Sequence, residues 1–164
     1  NKLQAELGVN KERANDLFRQ YHARVPFVKQ LMDNVMGRAQ ERGQIRTLLG
    51  RLCRFHLWEP NQFGIHKALT HDAALLEHGP GIKRAYTYKA LNRLIQGSAA
   101  DMTKKAMIEL HKEGITPHIQ VHDELDISVT DNAEKIKEIM ESAVDLEVPN
   151  KVDYEFGPNW GNIK

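Results

Sequence analysis

The run Ile119-Gln120-Val121-His122-Asp123-Glu124-Leu125 decides the fold class. Before it, from Tyr86 to Lys112, apolar residues recur every three or four positions; after Pro117 they recur every second one. Ile119 and Val121, then Leu125, Ile127 and Val129, alternate with polar neighbours on either side of His122-Asp123-Glu124. Side chains alternate faces along a strand, so this pattern predicts two short strands joined by an acidic connection. Strands directly after a long amphipathic helix predict an α+β fold.

Working outward, Asp131 with Glu134 three residues on has the form of a capping box. Ile136, Ile139, Met140, Ala143 and Val144 would be the buried face of the helix it opens. Val152, Tyr154 and Phe156 alternate again, predicting a last strand before Gly157-Pro158-Asn159-Trp160. Upstream, the long helix presents Leu91, Leu94, Ile95, Ala99, Met102, Ala106 and Leu110, and Gly114 ends it. Residues 55–84 contain Pro60, Gly64, Gly79, Pro80 and Gly81, and read as an irregular connection with one short helix near Ala68–Glu77. Ile45 to Leu49 followed by Gly50-Arg51 predicts a small strand or hairpin. Asn10 caps a helix carrying Ala14, Leu17, Phe18 and Tyr21; Pro26 opens a second with Val28, Leu31, Met32, Val35, Met36 and Ala39, closed by Gly43.

The chain has 164 residues, 41% of them hydrophobic, enough for one core or a little more. No apolar run approaches the ~18 residues a membrane span needs, so no membrane role is expected. The single cysteine, Cys53, excludes an internal disulfide framework and a Cys-rich zinc site, and suits a reducing cytoplasm. A net charge of +1 hides a gradient: +6 over residues 1–54, +2 over 55–116 and −7 over 117–164. A basic front suits contact with a polyanion. The acidic back could hold cations or be an ordinary solvated surface.

Adjacent carboxylates at a hairpin tip repel each other, where Asn or Gly would be the ordinary choice. A bound divalent cation would remove the repulsion, since hard cations take carboxylate oxygens. A solvent-facing acidic turn is the plainer alternative. Histidines offer a rival: His118, His122 and Asp123 could serve a metal-dependent nuclease, and His66, His71 and His78 a second site, although neither has an established zinc spacing. On the long helix, Tyr88, Asn92 and Gln96 recur every fourth residue and share a face. Amides both donate and accept, which suits minor-groove edges common to every base pair. Gly97-Ser98-Ala99-Ala100 is small enough for a strand or another backbone to approach.

In combination these motifs are specific. Gln-Gly-Ser-Ala-Ala-Asp at 96–101 followed by Gln-Val-His-Asp-Glu-Leu at 120–125 resembles the C-terminal part of family A DNA polymerases, the DNA polymerase I type. Ala85-Tyr86-Thr87-Tyr88-Lys89-Ala90-Leu91-Asn92 and Gly157-Pro158-Asn159-Trp160 resemble phage-type members. Leu7-Gly8, Tyr21, Pro26, Val28-Lys29 and Thr47-Leu48-Leu49-Gly50-Arg51 fall in the family's order.

The resemblance implies that residues 1–55 are the later part of the fingers and their return to the palm, 56–84 an irregular connection, and 85–164 the C-terminal half of the palm. It implies nucleotidyl transfer from a dNTP to a primer 3′-hydroxyl, with two magnesium ions. Asp123 matches a metal-binding catalytic carboxylate and Glu124 its neighbouring acid; His122, Asn92 and Gln96 match positions at the primer–template DNA. Tyr88 stands where many bacterial members carry Arg. An Asp-x-Ser-x-x-Glu-like palm strand and a Lys-bearing fingers helix have no match here. The resemblance therefore implies an incomplete enzyme that needs an N-terminal remainder, in the cytoplasm of a bacterium or a phage-infected cell. A catalytically silent DNA-binding or assembly fragment is the alternative.

Overall fold

A computed structural model describes residues 2–62, 64, 67–128 and 132–163. The chain forms two compact units, one of Asn1–Ile45 with Leu52–Arg93, the other of Arg46–Arg51 with Leu94–Lys164. The fold is α+β, with three two-stranded sheets among the described residues.

The first unit begins with helices α1 (Lys2–Leu7), α2 (Lys11–Arg24) and α3 (Pro26–Arg42). Asn10 caps α2 as expected: its backbone is extended and its Oδ1 accepts from the Arg13 N–H at 2.8 Å. Pro26 can start α3 because the first turn has no use for its missing N–H. Gly43 ends it in the left-handed region, φ 66°, with its N–H on the Ala39 carbonyl. The faces predicted for these helices are only partly covered: Ala14, Val35 and Ala39 are buried, whereas Phe18, Tyr21 and Leu31 are exposed.

Residues 55–84 are more regular than the sequence suggested. Strands β3 (Trp58–Pro60) and β4 (Ile82–Arg84) pair antiparallel, Trp58 opposite Arg84, with α4 (His71–His78) between them in sequence. Pro60 inside β3 and Gly79-Pro80-Gly81 just before β4 are turn residues in sequence, so both strands read as loop. Arg84 ties this unit together. Its Nε donates to the Gln40 carbonyl at 3.1 Å, its Nη1 to the Phe55 carbonyl at 3.0 Å, and its guanidinium lies 4.6 Å from the centre of the Trp58 ring. A Cβ on Gly43 would stand 2.6 Å from Arg84 Cζ, so a side chain there would displace the guanidinium from these partners. On α4, a hydrogen bond from Lys67 holds the Glu77 carboxyl below the ordinary range.

Strand β1 (Gln44–Arg46) pairs with β2 (Leu52–Arg54), so the predicted strand ends before Leu49 and residues 47–51 form the connection. The long helix also starts later than predicted. Tyr86 is left-handed, φ 63°, a single 3-10 turn covers Thr87–Lys89, and α5 runs Ala90–Lys112.

In the second unit, Leu94 onward of α5 is joined by strands β5 (Ile119–Val121) and β6 (Glu124–Asp126) and helix α6 (Ala133–Ser142). The two strands pair antiparallel, as expected, with Gln120 opposite Leu125 and Val121 opposite Glu124. The pairing stops at Asp126; Val129, and Asp131 with its capping box, lie outside the described residues. Ile136, Ile139 and Met140 are half-buried rather than buried. No strand forms at 152–156. The Val152 N–H bonds the Glu141 side chain at 2.9 Å instead of a ladder partner, and the Tyr154 and Phe156 rings meet edge to face, both exposed.

Candidate functional site

The pairing of β5 with β6 leaves His122 and Asp123 as a two-residue loop. Such loops need positive φ at one or both positions, and here His122 takes it, φ 53°. A non-glycine residue in that region is uncommon and is retained where surrounding contacts impose it. The Gln120 side chain provides one such contact, donating from Nε2 to the His122 carbonyl at 2.6 Å. Asp123 and Glu124 follow directly, both exposed.

Their oxygens suit a hard cation such as magnesium. Among the described residues, however, no three His, Cys, Asp or Glu side chains come together in a group able to hold a metal. Asp123 and Glu124 thus stand as two neighbouring carboxylates that belong to no such group. The rival histidine sites are not assembled either. His118 is exposed, its N–H serving the ladder on the Asp126 carbonyl; His71 pairs with Asp72; His78 stands 3.6 Å from Glu77; His66 lies outside the described residues.

Asn92 and Gln96 lie four residues apart on α5 and are exposed, as the spacing predicted. Tyr88 does not continue that row, because it belongs to the 3-10 turn before the helix. Lys89 Nζ stands 5.6 Å from the centre of its ring and 5.1 Å from that of Tyr86.

The role of Gln96-Gly97-Ser98-Ala99-Ala100-Asp101 becomes clear in the second unit. The small residues admit a backbone, that of residues 47–51. Asp101, only 7% exposed, accepts from Arg51 Nε at 2.7 Å on Oδ1 and from the Thr47 hydroxyl on Oδ2. Thr47 Oγ1 also accepts the Arg51 N–H, Arg51 Nη2 donates to the Gly97 carbonyl at 2.8 Å, and the Leu48 N–H donates to Ser98 Oγ at 2.9 Å. Hydrophobic periodicity could not find this, since it assigned Ile95 and Ala99 to the covered face, and both are exposed. The signal lay in the pairing of a Thr-Leu-Leu-Gly-Arg turn with a small-residue run ending in Asp.

The sequence model of DNA polymerase family A matches residues 1–162. This chain belongs to DNA polymerase family A. It is 39% identical over 141 residues to a DNA-directed DNA polymerase of Pseudomonas phage M6, covering 85% of this chain and 18% of that one. It is 34% identical to DNA polymerase I of Geobacillus stearothermophilus over 99% of its own length and 18% of the relative's. The POL domain of Pol1 from M. smegmatis, solved with DNA primer-template and dNTP, matches with a TM-score of 0.68 and 29% identity, over 96% of this chain and 27% of that one. The chain thus spans less than a fifth of the length of these curated relatives. Among the described residues no helix is long and apolar enough to cross a membrane.

Proposed function

We propose that this chain is part of a template-directed DNA polymerase, with residues 1–55 the later fingers and their return to the palm, 56–84 a connection and 85–164 the second half of the palm. The reaction is attack of a primer 3′-hydroxyl on the α-phosphorus of a dNTP: a 3′-O–P bond forms, the bond to pyrophosphate breaks, and the hydroxyl proton leaves. The observation that carries this reading is the β5–β6 hairpin, which holds an exposed Asp123–Glu124 pair at a loop fixed by His122 and Gln120, in a chain of this family. Magnesium bound there would supply positive charge at the reacting phosphate. Asp123 is the principal donor and Glu124 the secondary one, in a two-ion site completed by carboxylates beyond these residues. Asn92 and Gln96 hydrogen-bond the minor-groove edges of the primer–template duplex, with His122 near the primer end and Tyr88 at its margin. The basic residues of 1–54 follow DNA phosphates.

One observation favours a second reading, a DNA-binding fragment silent by itself: no group of three metal ligands is assembled among the described residues. The two readings part in a primer-extension assay with magnesium, run on the purified chain alone and mixed with a polypeptide supplying the rest of the family's length. The polymerase reading expects extension only in the mixture. No extension by a verified, co-folded mixture would leave the silent reading.

A further inference from the structure

We propose that Thr47, Arg51 and Asp101 are positioning residues that set the angle at which Gln96 meets duplex DNA. The inference rests on the reading of Gln96 given above. Four hydrogen bonds run between residues 47–51 and the single helical turn 97–101, and that turn begins immediately after Gln96. Three of them are charge-assisted: Arg51 Nε and the Thr47 hydroxyl to the Asp101 carboxylate, and Arg51 Nη2 to the Gly97 carbonyl. The Gly97 carbonyl lies in the interior of α5, so the guanidinium grips the helix backbone itself at the residue next to Gln96.

Thr47 closes the arrangement. Its hydroxyl donates to Asp101 and accepts the Arg51 N–H, which leaves it one orientation. Its methyl then lies against the bare Cα of Gly97. Both Asp101 oxygens are satisfied, so the buried carboxylate carries no unmet hydrogen-bonding need. Asp101 is buried while the Arg51 side chain is half exposed, so the pair holds one buried carboxylate in a fixed direction from the surface. The geometry fixed here is that of one helical turn. The Gln96 side chain, exposed and without a hydrogen bond among the described residues, is the group whose direction that turn controls.

The test is a double-mutant cycle in the full-length gene product, read as the dissociation constant for a fluorescein-labelled primer–template duplex at fixed salt, with thermal melting followed in parallel. Gln96→Ala should weaken binding about three- to tenfold, the effect of losing one neutral hydrogen bond. Thr47→Val, which keeps shape and loses the hydroxyl, should weaken it by a similar factor, and Thr47→Ser should retain parental affinity. In the Gln96→Ala background, Thr47→Val should add nothing, because it acts through the missing amide. If Thr47→Val fails to fold, Arg51→Lys makes the same comparison, since it keeps the charge but lacks the second nitrogen that reaches Gly97. Losses that multiply, or a Thr47 variant that binds normally beside a weakened Gln96 variant, overturn the positioning role and leave the Gln96 reading standing. Parental binding by Gln96→Ala overturns both.

Discussion

A Cβ placed on Gly97 would stand 2.8 Å from the Thr47 methyl carbon, closer than real Cβ contacts come. The methyl cannot swing aside, because the Thr47 hydroxyl is held between Asp101 and the Arg51 N–H. Two opposing effects then meet at one residue. Gly→Ala inside a helix ordinarily gains about 0.8–1 kcal/mol, whereas forcing a methyl into packed surroundings costs about 1–3 kcal/mol.

The second effect should win, so Gly97→Ala should lower stability by up to about 2 kcal/mol net. Thr47→Ser in the same chain should return much of the loss by removing the opposing methyl. Urea unfolding of the single and double variants measures both. A rise in stability for Gly97→Ala alone would show that Thr47 yields.

Arg84 should behave as the anchor of the first unit. Truncating it leaves the Gln40 and Phe55 carbonyls without their charged donor and removes the cation from the Trp58 face. Arg84→Ala should cost about 1.5–3 kcal/mol, in the range for hydrogen bonds to charged groups. Arg84→Lys should recover little, because an ammonium cannot repeat the planar fork. Chemical unfolding gives the cost, and Trp58 emission in a Trp160→Phe background reports the local change.

Tyr154 should titrate above the ordinary tyrosine range. Its hydroxyl donates to Glu134 Oε1 at 2.5 Å; that hydrogen bond, then the carboxylate charge, then desolvation all favour the protonated phenol. The folded protein keeps this proton more firmly than the unfolded chain, so the stabilisation is fully present below the unfolded pKa. It is lost as pH rises through the folded one. The phenolate absorbance difference between the parent and Tyr154→Phe should show a raised midpoint, and Glu134→Gln should bring it down. A midpoint unmoved by Glu134→Gln would remove the hydrogen bond as its cause.

Asp123→Asn in the full-length gene product should slow single-turnover nucleotide incorporation on the order of 100- to 1000-fold, the scale for removing one preorganised charge-stabilising group. Duplex affinity should change little, because the interaction strengthens only as charge develops. Glu124→Gln should be milder. Parental incorporation by Asp123→Asn would end the assignment of that carboxylate to the reaction.

Much of the architecture was legible because it is local. Asn10, Pro26 and Gly43 mark helix ends through their own backbone chemistry, and the period of two around residues 119–125 needs no distant partner to be read. Pro60 inside β3 and Gly79-Pro80-Gly81 before β4 are turn residues, so those two strands read as loop. The alternation at Val152, Tyr154 and Phe156 pointed to a strand, yet a strand exists only where a ladder is offered, and Glu141 takes the Val152 N–H instead.

For the candidate site, the sequence by itself determined which groups are present and in what spacing: the carboxylates at 123 and 124 on a hairpin tip, and the amides at 92 and 96 one helical turn apart. Tertiary structure alone decided what lies against the small-residue turn at 97–101. Asp101 reads in sequence as the polar end of a motif, but it becomes a buried acceptor because Thr47 and Arg51, some fifty residues earlier, fold onto it. Burial of a charge depends on a partner far along the chain, and no local period records where that partner will be.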